Sequence, residues 1–432
     1  MTAKNLVKVC LAATFLLTGA CADFFENNQI KSPKKGTDGT QSNNEQTLPG
    51  DFQKPNEGVF TEQKMLINIG TNVMARAVEK FADAVPSLKN SLREYCEALP
   101  SGLPTDRLEA QAKKDWERVA LAFHEVEAAP MGPLTDNTSA LNVVIYSWPL
   151  LNTCGVDKKV FENANSTISS ETLPYNTRGI GAIEYLLFET SMKSTCNLRA
   201  HKEMEIWNSR TTEQKKLDRC QWALTLTKDL EGKAVELNTK WNVTKGNFTK
   251  AMIDGSRYKT NKEAINALTD ALSNIEKLKD VKLGKPTGRH ASCYDDKCAK
   301  DVEHIYSGLS LASAEAQLKA FKAIFTGSYT KDPAFGIDDL LIQSGRQDVA
   351  EKMVAAIDVA IVSVMKAQAA GSLYEQIEAA DTGLCKSSTM TDRKEEICAV
   401  HADVREVAFL LKTEVLAALA LRAPPTNQGD SD

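Results

Sequence analysis

Histidine is scarce in this sequence. Five occur in 432 residues: His124, His201, His290, His304 and His401. No two stand in the HExxH spacing that puts a pair of imidazoles around zinc on one helical face, which excludes a zincin-type site. No CxxC occurs, and His290 alone lies close to a cysteine pair, so a thiolate zinc site is disfavoured. Runs of Lys and Arg interleaved with aromatics are missing and the formal charge is -5, which removes the usual reasons to expect nucleic acid. Beyond the N-terminus no stretch reaches 18 consecutive apolar residues, so no transmembrane helix is expected. Alternating strand patterns are rare too; ALNVVIYSW, residues 140–148, is the short candidate.

Helical periodicity fills the space these absences leave. Apolar residues recur at spacings of three and four over 59–85, 105–129, 215–241, 261–280, 300–325, 347–370 and 394–422. Thr105 stands where a helix cap would, and Pro130 follows the end of that segment. The pattern predicts an all-α fold of two helical-bundle halves packed together, residues 59–245 and 246–421. The more polar stretch from Trp241 to Tyr258 is expected at their junction, and residues 422–432 read as a flexible tail.

The N-terminus reads as an address. Lys4 and Lys8 precede the apolar run Val9–Leu17, which is too short to span a bilayer, and small residues lead to Cys21. Residues 1–20 are expected to be a signal peptide. The ending Thr18-Gly19-Ala20-Cys21 resembles a bacterial lipoprotein site, with Cys21 lipidated; Thr18 departs from the usual leucine. A plain cut after Ala20 or Ala22 is the alternative. With Ala rather than Asp at position 22, the lipoprotein resemblance points to outer-membrane anchoring, facing the periplasm or the cell surface. Residues 21–58, rich in Asn, Gln, Lys, Gly, Pro and Ser, read as a disordered tether.

Export suits the cysteines. Apart from Cys10 and Cys21, eight remain, and an even set in an exported protein favours disulfides over free thiols. Pairing by nearness in sequence predicts Cys293–Cys298, Cys385–Cys398, Cys196–Cys220 and Cys96–Cys154.

The segment with chemistry in it is RGIGAIEYLLFE, residues 178–189. Glu184 shares one helical face with Ile180, Leu187 and Phe188, so its carboxylate points inward. A buried carboxylate must be paired, hydrogen-bonded, metal-bound or protonated. Either an Arg or Lys from another helix neutralises it, or it is a site carboxylate. Arg178, at a helix start that disfavours cations, is a candidate partner for Glu184 or for a ligand anion, or else a surface arginine. Glu127 sits at the C-terminal end of its helix, the wrong end of the dipole for an anion, which suggests a tertiary partner. Glu127 and Glu184 could hold a cation between helices, or each could bind a separate group.

Gly179, Glu184 and the following Tyr185-Leu186-Leu187 resemble the signature of the imelysin family, Gly-x-His-x-x-Glu followed by an aromatic and two leucines. Trp116 to Glu127 with the following Gly132-Pro133, SWPL at 147–150, KLKDVKLGKPTG at 277–288, Glu303 with Ser307 and Ser310, and GIDDLL at 336–341 also resemble the family, in the right order. The resemblance implies an all-α protein of two bundle-like halves, exported, often a lipoprotein, and often linked to iron acquisition. It implies Ser307 as a further site candidate and an envelope or iron-uptake partner; the cofactor stays open, with iron or another divalent metal as the candidate. Some relatives are classed as metallopeptidases.

Gly181 stands where the signature has histidine, and glycine offers no ligand. His124, beside Glu125 and Glu127, is the one histidine on a helix that could approach Glu184 as a surrogate ligand, although a lone histidine on such a helix is more often simply packed or solvated; His201 with Glu205 reads as an exposed face. The expectation is a non-enzymatic binding protein, linked to iron or metal acquisition. The alternatives are a metallopeptidase with a substituted ligand and an interaction protein with a degenerate site.

Overall fold

In the computed structural model, residue 52 and residues 54–422 are described, apart from 137–140, 167, 171, 381–384 and 386–395. The signal segment 1–20, Cys21, most of the tether and the tail from 423 lie outside the described residues.

Every regular element among the described residues is a helix. In chain order these are α1 Glu62–Asn68, α2 Ala75–Ala98, α3 Asp106–Glu127, α4 Leu141–Ile145, α5 Thr153–Asn165, α6 Gly179–Phe188, α7 Glu203–Ser209 and α8 Thr212–Trp241. They continue as α9 Phe248–Ile253, α10 Asn261–Leu272, α11 Ser310–Thr326, α12 Ile337–Gln343, α13 Gln347–Ala369, α14 Leu373–Ala379, α15 Glu396–Leu410 and α16 Leu416–Ala418. Wider π turns join α1 to α2 and α15 to α16, and a third, Lys277–Gly284, follows α10. Side-chain oxygens start several helices: those of Thr61, Thr211 and Thr260 accept from the backbone N–H three residues on, satisfying an orphan donor. Thr105 stands at the cap of α3 without such a bond.

Helix α3 is the element that positions the site. It packs against α2, α6 and α11, and α11 in turn packs against α13. Trp116, Val119, Ala120 and Phe123 on α3 are buried. The Trp116 indole N–H donates to the carbonyl of Ile180 at 3.1 Å, tying α3 to the first turn of α6. Trp207, Trp222 and Trp241 are also buried, the last with its ring 4.9 Å from that of Phe248.

Three expectations are corrected. Within the strand candidate, residues 141–145 form the short helix α4. Residues 300–325 are not one helix: 302–309 run as turns, and α11 begins only at Ser310. Two disulfides differ from the nearest-neighbour pairing. Cys96 joins Cys220 because α2 and α8 lie side by side, and Cys154 joins Cys196, which returns beside the start of α5. Cys293–Cys298 and Cys385–Cys398 pair as expected.

Candidate functional site

Gly179 opens α6 with φ +75°, in the left-handed region. A Cβ there would lie 2.3 Å from the carbonyl oxygen of Ile145 and 2.7 Å from that of Val144. Only glycine lets α6 start against the end of α4, and that contact fixes the neighbouring Tyr146. Gly181 has no such constraint. A Cβ there would touch Leu151 and Tyr146 at an ordinary 3.8 Å. Arg178 turns away from Glu184. Its guanidinium binds Asp229 of α8 through two nitrogens, Nε at 2.9 Å. Arg178 is thus neither the partner of Glu184 nor a surface arginine but half of a buried clamp between the start of α6 and α8, with both side chains out of solvent.

Glu184 points inward and meets the 302–309 segment. Its Oε1 accepts from the Ser307 backbone N–H at 3.1 Å and from the Ser307 hydroxyl at 2.9 Å. Its Oε2 lies 2.7 Å from His304 Nδ1. His304 adopts φ +52°, a conformation uncommon for a residue with a Cβ and held here by its surroundings. Tyr146 stacks on its ring at 5.4 Å and Trp116 meets it edge-on at 5.3 Å. The partner of Glu184 is thus His304, which the helical reading of 300–325 had hidden.

The far side of His304 meets His124. The two Nε2 atoms are 2.7 Å apart. His124 Nδ1 lies 2.8 Å from Glu127 Oε2. Four side chains from three segments form one line: Glu184, His304, His124, Glu127. Glu127 also binds Lys282 Nζ at 2.6 Å and Lys277 Nζ at 2.8 Å. Both lysines belong to the π turn Lys277–Gly284. In an α-helix residues five apart point about 140° away from each other; the i→i+5 register of a π turn brings them to one face. Glu303 completes the cluster: its Oε1 accepts from the Tyr146 hydroxyl at 2.8 Å and lies 2.9 Å from Lys282 Nζ. None of His124, Glu127, Tyr146, Glu184, Lys282, Glu303 and His304 is more than 6% exposed.

Protons can be assigned from this network. Burial opposes a charge on His304, but the Glu184 carboxylate outweighs it and holds the imidazole above its ordinary value. Burial, with the charge of Lys282, pushes His124 below its own. His304 is then the imidazolium, donating Nδ1–H to Glu184 and Nε2–H to His124. His124 is neutral and donates Nδ1–H to Glu127. Burial would raise Glu127 and Glu303, but Lys282, joined by Lys277 at Glu127 and by the His304 imidazolium at Glu303, keeps both carboxyls below the usual range. Three carboxylates face two ammoniums and one imidazolium, so the buried charge balances.

The raised His304 stabilises the fold fully below the ordinary histidine value of 6.5, and this contribution is lost as pH rises through its higher folded value. The lowered His124 acts in the opposite sense, its contribution being lost as pH falls below 6.5. In chelator-treated protein, urea unfolding should therefore show stability greatest near pH ~6.5 and declining on both sides. Stability that keeps rising to pH ~9 would contradict the assignment.

The structure brings together Glu184, Glu127, His124 and Ser307 of the residues singled out in the sequence. It leaves Arg178 outside, and it adds His304, Glu303, Tyr146, Lys282 and Lys277. Histidine 201 lies 3.4 Å from Glu203, partly exposed and apart from these residues.

The imelysin family model matches residues 74–407, most of the chain. This chain belongs to the imelysin family. The fold is also that of solved structures. An imelysin-like protein from Psychrobacter arcticus 273-4 superposes with a TM-score of 0.61 at 14% identity, over 84% of this chain and 96% of that one. A "putative iron-regulated protein A precursor" from Parabacteroides distasonis ATCC 8503 gives 0.60 at 17%, over 84% and 97%. At these identities the likeness speaks for the fold alone. No curated protein matches in sequence. Position 181 of this chain is glycine, and the imidazole that reaches Glu184 comes from His304, with His124 behind it.

Proposed function

We propose that this imelysin-family chain is a non-enzymatic, divalent-metal-binding protein of the bacterial envelope. One observation carries the reading. His124 and His304 each have Nδ1 held by a carboxylate, and both turn Nε2 to one point, with a Glu303 oxygen within 4.8 Å of the ligand atoms. Carboxylates that fix the far nitrogen of an imidazole are the usual outer support of metal-binding histidines. Two histidines and one carboxylate form a donor set that suits non-haem iron(II) or zinc. Zinc–nitrogen bonds of about 2.0–2.1 Å would place two tetrahedral nitrogen donors roughly 3.3 Å apart. The two Nε2 atoms, 2.7 Å apart, need to separate by only a fraction of an ångström, and the proton between them must leave.

Burial favours this reading over the peptidase one. Among the described residues His124, Glu303 and His304 are at most 2% exposed, a setting that suits a small ion better than a polypeptide substrate. The envelope location rests on the signal pattern, on Cys21 as a lipid site that would anchor the chain in the outer membrane, and on four disulfides, which persist in oxidising compartments. A role in iron acquisition, beside an uptake partner in the envelope, agrees with the donor set and with the iron-regulated name of the Parabacteroides protein.

Equilibrium dialysis of the mature chain against Zn2+, and anaerobically against Fe2+, tests the reading. One tightly held ion per chain is expected, removed by chelator and lost in His124→Ala and in His304→Ala. Binding that survives both substitutions, or none in the native chain, would overturn it.

A further inference from the structure

Lys282 stands inside the cluster, not at its rim. Its side chain is 3% exposed, whereas that of Lys277 is 33% exposed. The ammonium sits 2.9 Å from Glu303 Oε1 and 2.6 Å from Glu127 Oε2, with Gln317 Oε1 at 3.4 Å on the side of α11. Glu303 is the carboxylate a metal would use with the two histidines. Its Oε1 is already shared by Lys282 and the Tyr146 hydroxyl.

Resting on the metal reading above, we propose that Lys282 is a tethered cation that must give up Glu303 before a divalent ion can enter, so that this residue sets how tightly the site holds metal. Two cations on one buried carboxylate repel each other with little solvent screening. The ammonium has somewhere to go. The Glu127 carboxylate is held independently by Lys277 and its backbone carbonyl by the Asn274 amide, so it can keep Lys282 while Glu303 turns to the ion. Gln317 adds a neutral acceptor on the same side. The arrangement gives a site that is charge-balanced when empty and exchanges one cation for another when filled. It suits capture and release better than permanent retention.

Calorimetric titration of the full mature chain with Zn2+ alone tests this. Lys282→Met keeps the stem and removes the charge. It should bind Zn2+ tighter than wild type by on the order of tenfold or more, the size of effect one neighbouring charge has on a buried ionisable group. Lys282→Arg, which keeps a cation, should bind no tighter than wild type. A folded Lys282→Met chain that binds equally or more weakly overturns the proposal. Should that variant fail to fold, the unaltered chain decides. A crystal of the Zn2+-loaded chain should show the Lys282 ammonium off Glu303 and kept by Glu127, and an ammonium still bridging both carboxylates at full Zn2+ occupancy overturns the exchange. Zn2+ binding by wild type that is lost in His304→Ala, with Lys282→Met no tighter, sinks the Lys282 proposal and leaves the metal reading standing. No Zn2+ binding by wild type or Lys282→Met sinks both. Binding by Lys282→Met alone would show that Lys282 blocks the site.

Discussion

Glu184→Ala should destabilise the chain by about 3–5 kcal/mol in denaturant unfolding, the usual loss when one partner of a buried ion pair is removed. The substitution strands the His304 imidazolium, which has no other carboxylate at its Nδ1. It also leaves the Ser307 N–H and hydroxyl without the oxygen they both use. His304 can shed its proton, which limits the damage but abolishes the charge-assisted bond that holds residues 302–309 to α6. Glu184→Gln is the informative companion. Its amide oxygen can still accept from Ser307 and its NH2 can donate to a neutral His304, so it should lose markedly less. Its alkaline decline in stability should also flatten, because the raised affinity of His304 for a proton comes from the Glu184 charge. An Ala variant as stable as wild type would remove Glu184 from the centre of the account.

Gly179→Ala should cost about 3 kcal/mol or more: roughly 1–2 for the left-handed backbone, and the rest for a Cβ driven into backbone carbonyls. Those carbonyls belong to α4, so the strain would pass directly to Tyr146 and on to His304. Gly181→Ala should do the reverse. The position is mid-helix with room for a Cβ, so alanine should stabilise by up to about 1 kcal/mol through its better helix propensity. The two glycines of RGIGAIE thus have different origins. One is demanded by the backbone, and the other leaves ordinary room for a side chain. Equal responses to alanine in melting experiments would contradict that distinction.

The long helices were legible in the sequence because a buried stripe at spacings of three and four is what packing demands of a helix. The inward carboxylate at 184 was legible for the same reason, and so was a tertiary partner for Glu127, from its place at the wrong end of a dipole. The segment 302–309 was not. Val302, Ile305, Tyr306 and Leu309 keep a helical spacing although the chain there turns through positive φ at His304 and Gly308. Periodicity registers which side chains are buried; it does not register the backbone path that buries them. That one misreading hid His304, the direct partner of Glu184. Lys282 was hidden in a related way, because the π register that brings it and Lys277 to one carboxylate leaves no mark in composition. The disulfides show the same limit, since Cys96 and Cys220 are neighbours only once α2 and α8 pack.

The central claim is that the facing nitrogens of His124 and His304, with Glu303, form a metal site supported from behind by Glu127 and Glu184. The most direct test is a crystal of the mature chain soaked in Zn2+, with diffraction collected at the zinc edge. The account predicts an anomalous peak within about 2.0–2.2 Å of His124 Nε2, His304 Nε2 and a Glu303 oxygen, with the Lys282 ammonium displaced from Glu303. A fully loaded protein whose zinc lies elsewhere, with the two Nε2 atoms still 2.7 Å apart, would contradict it.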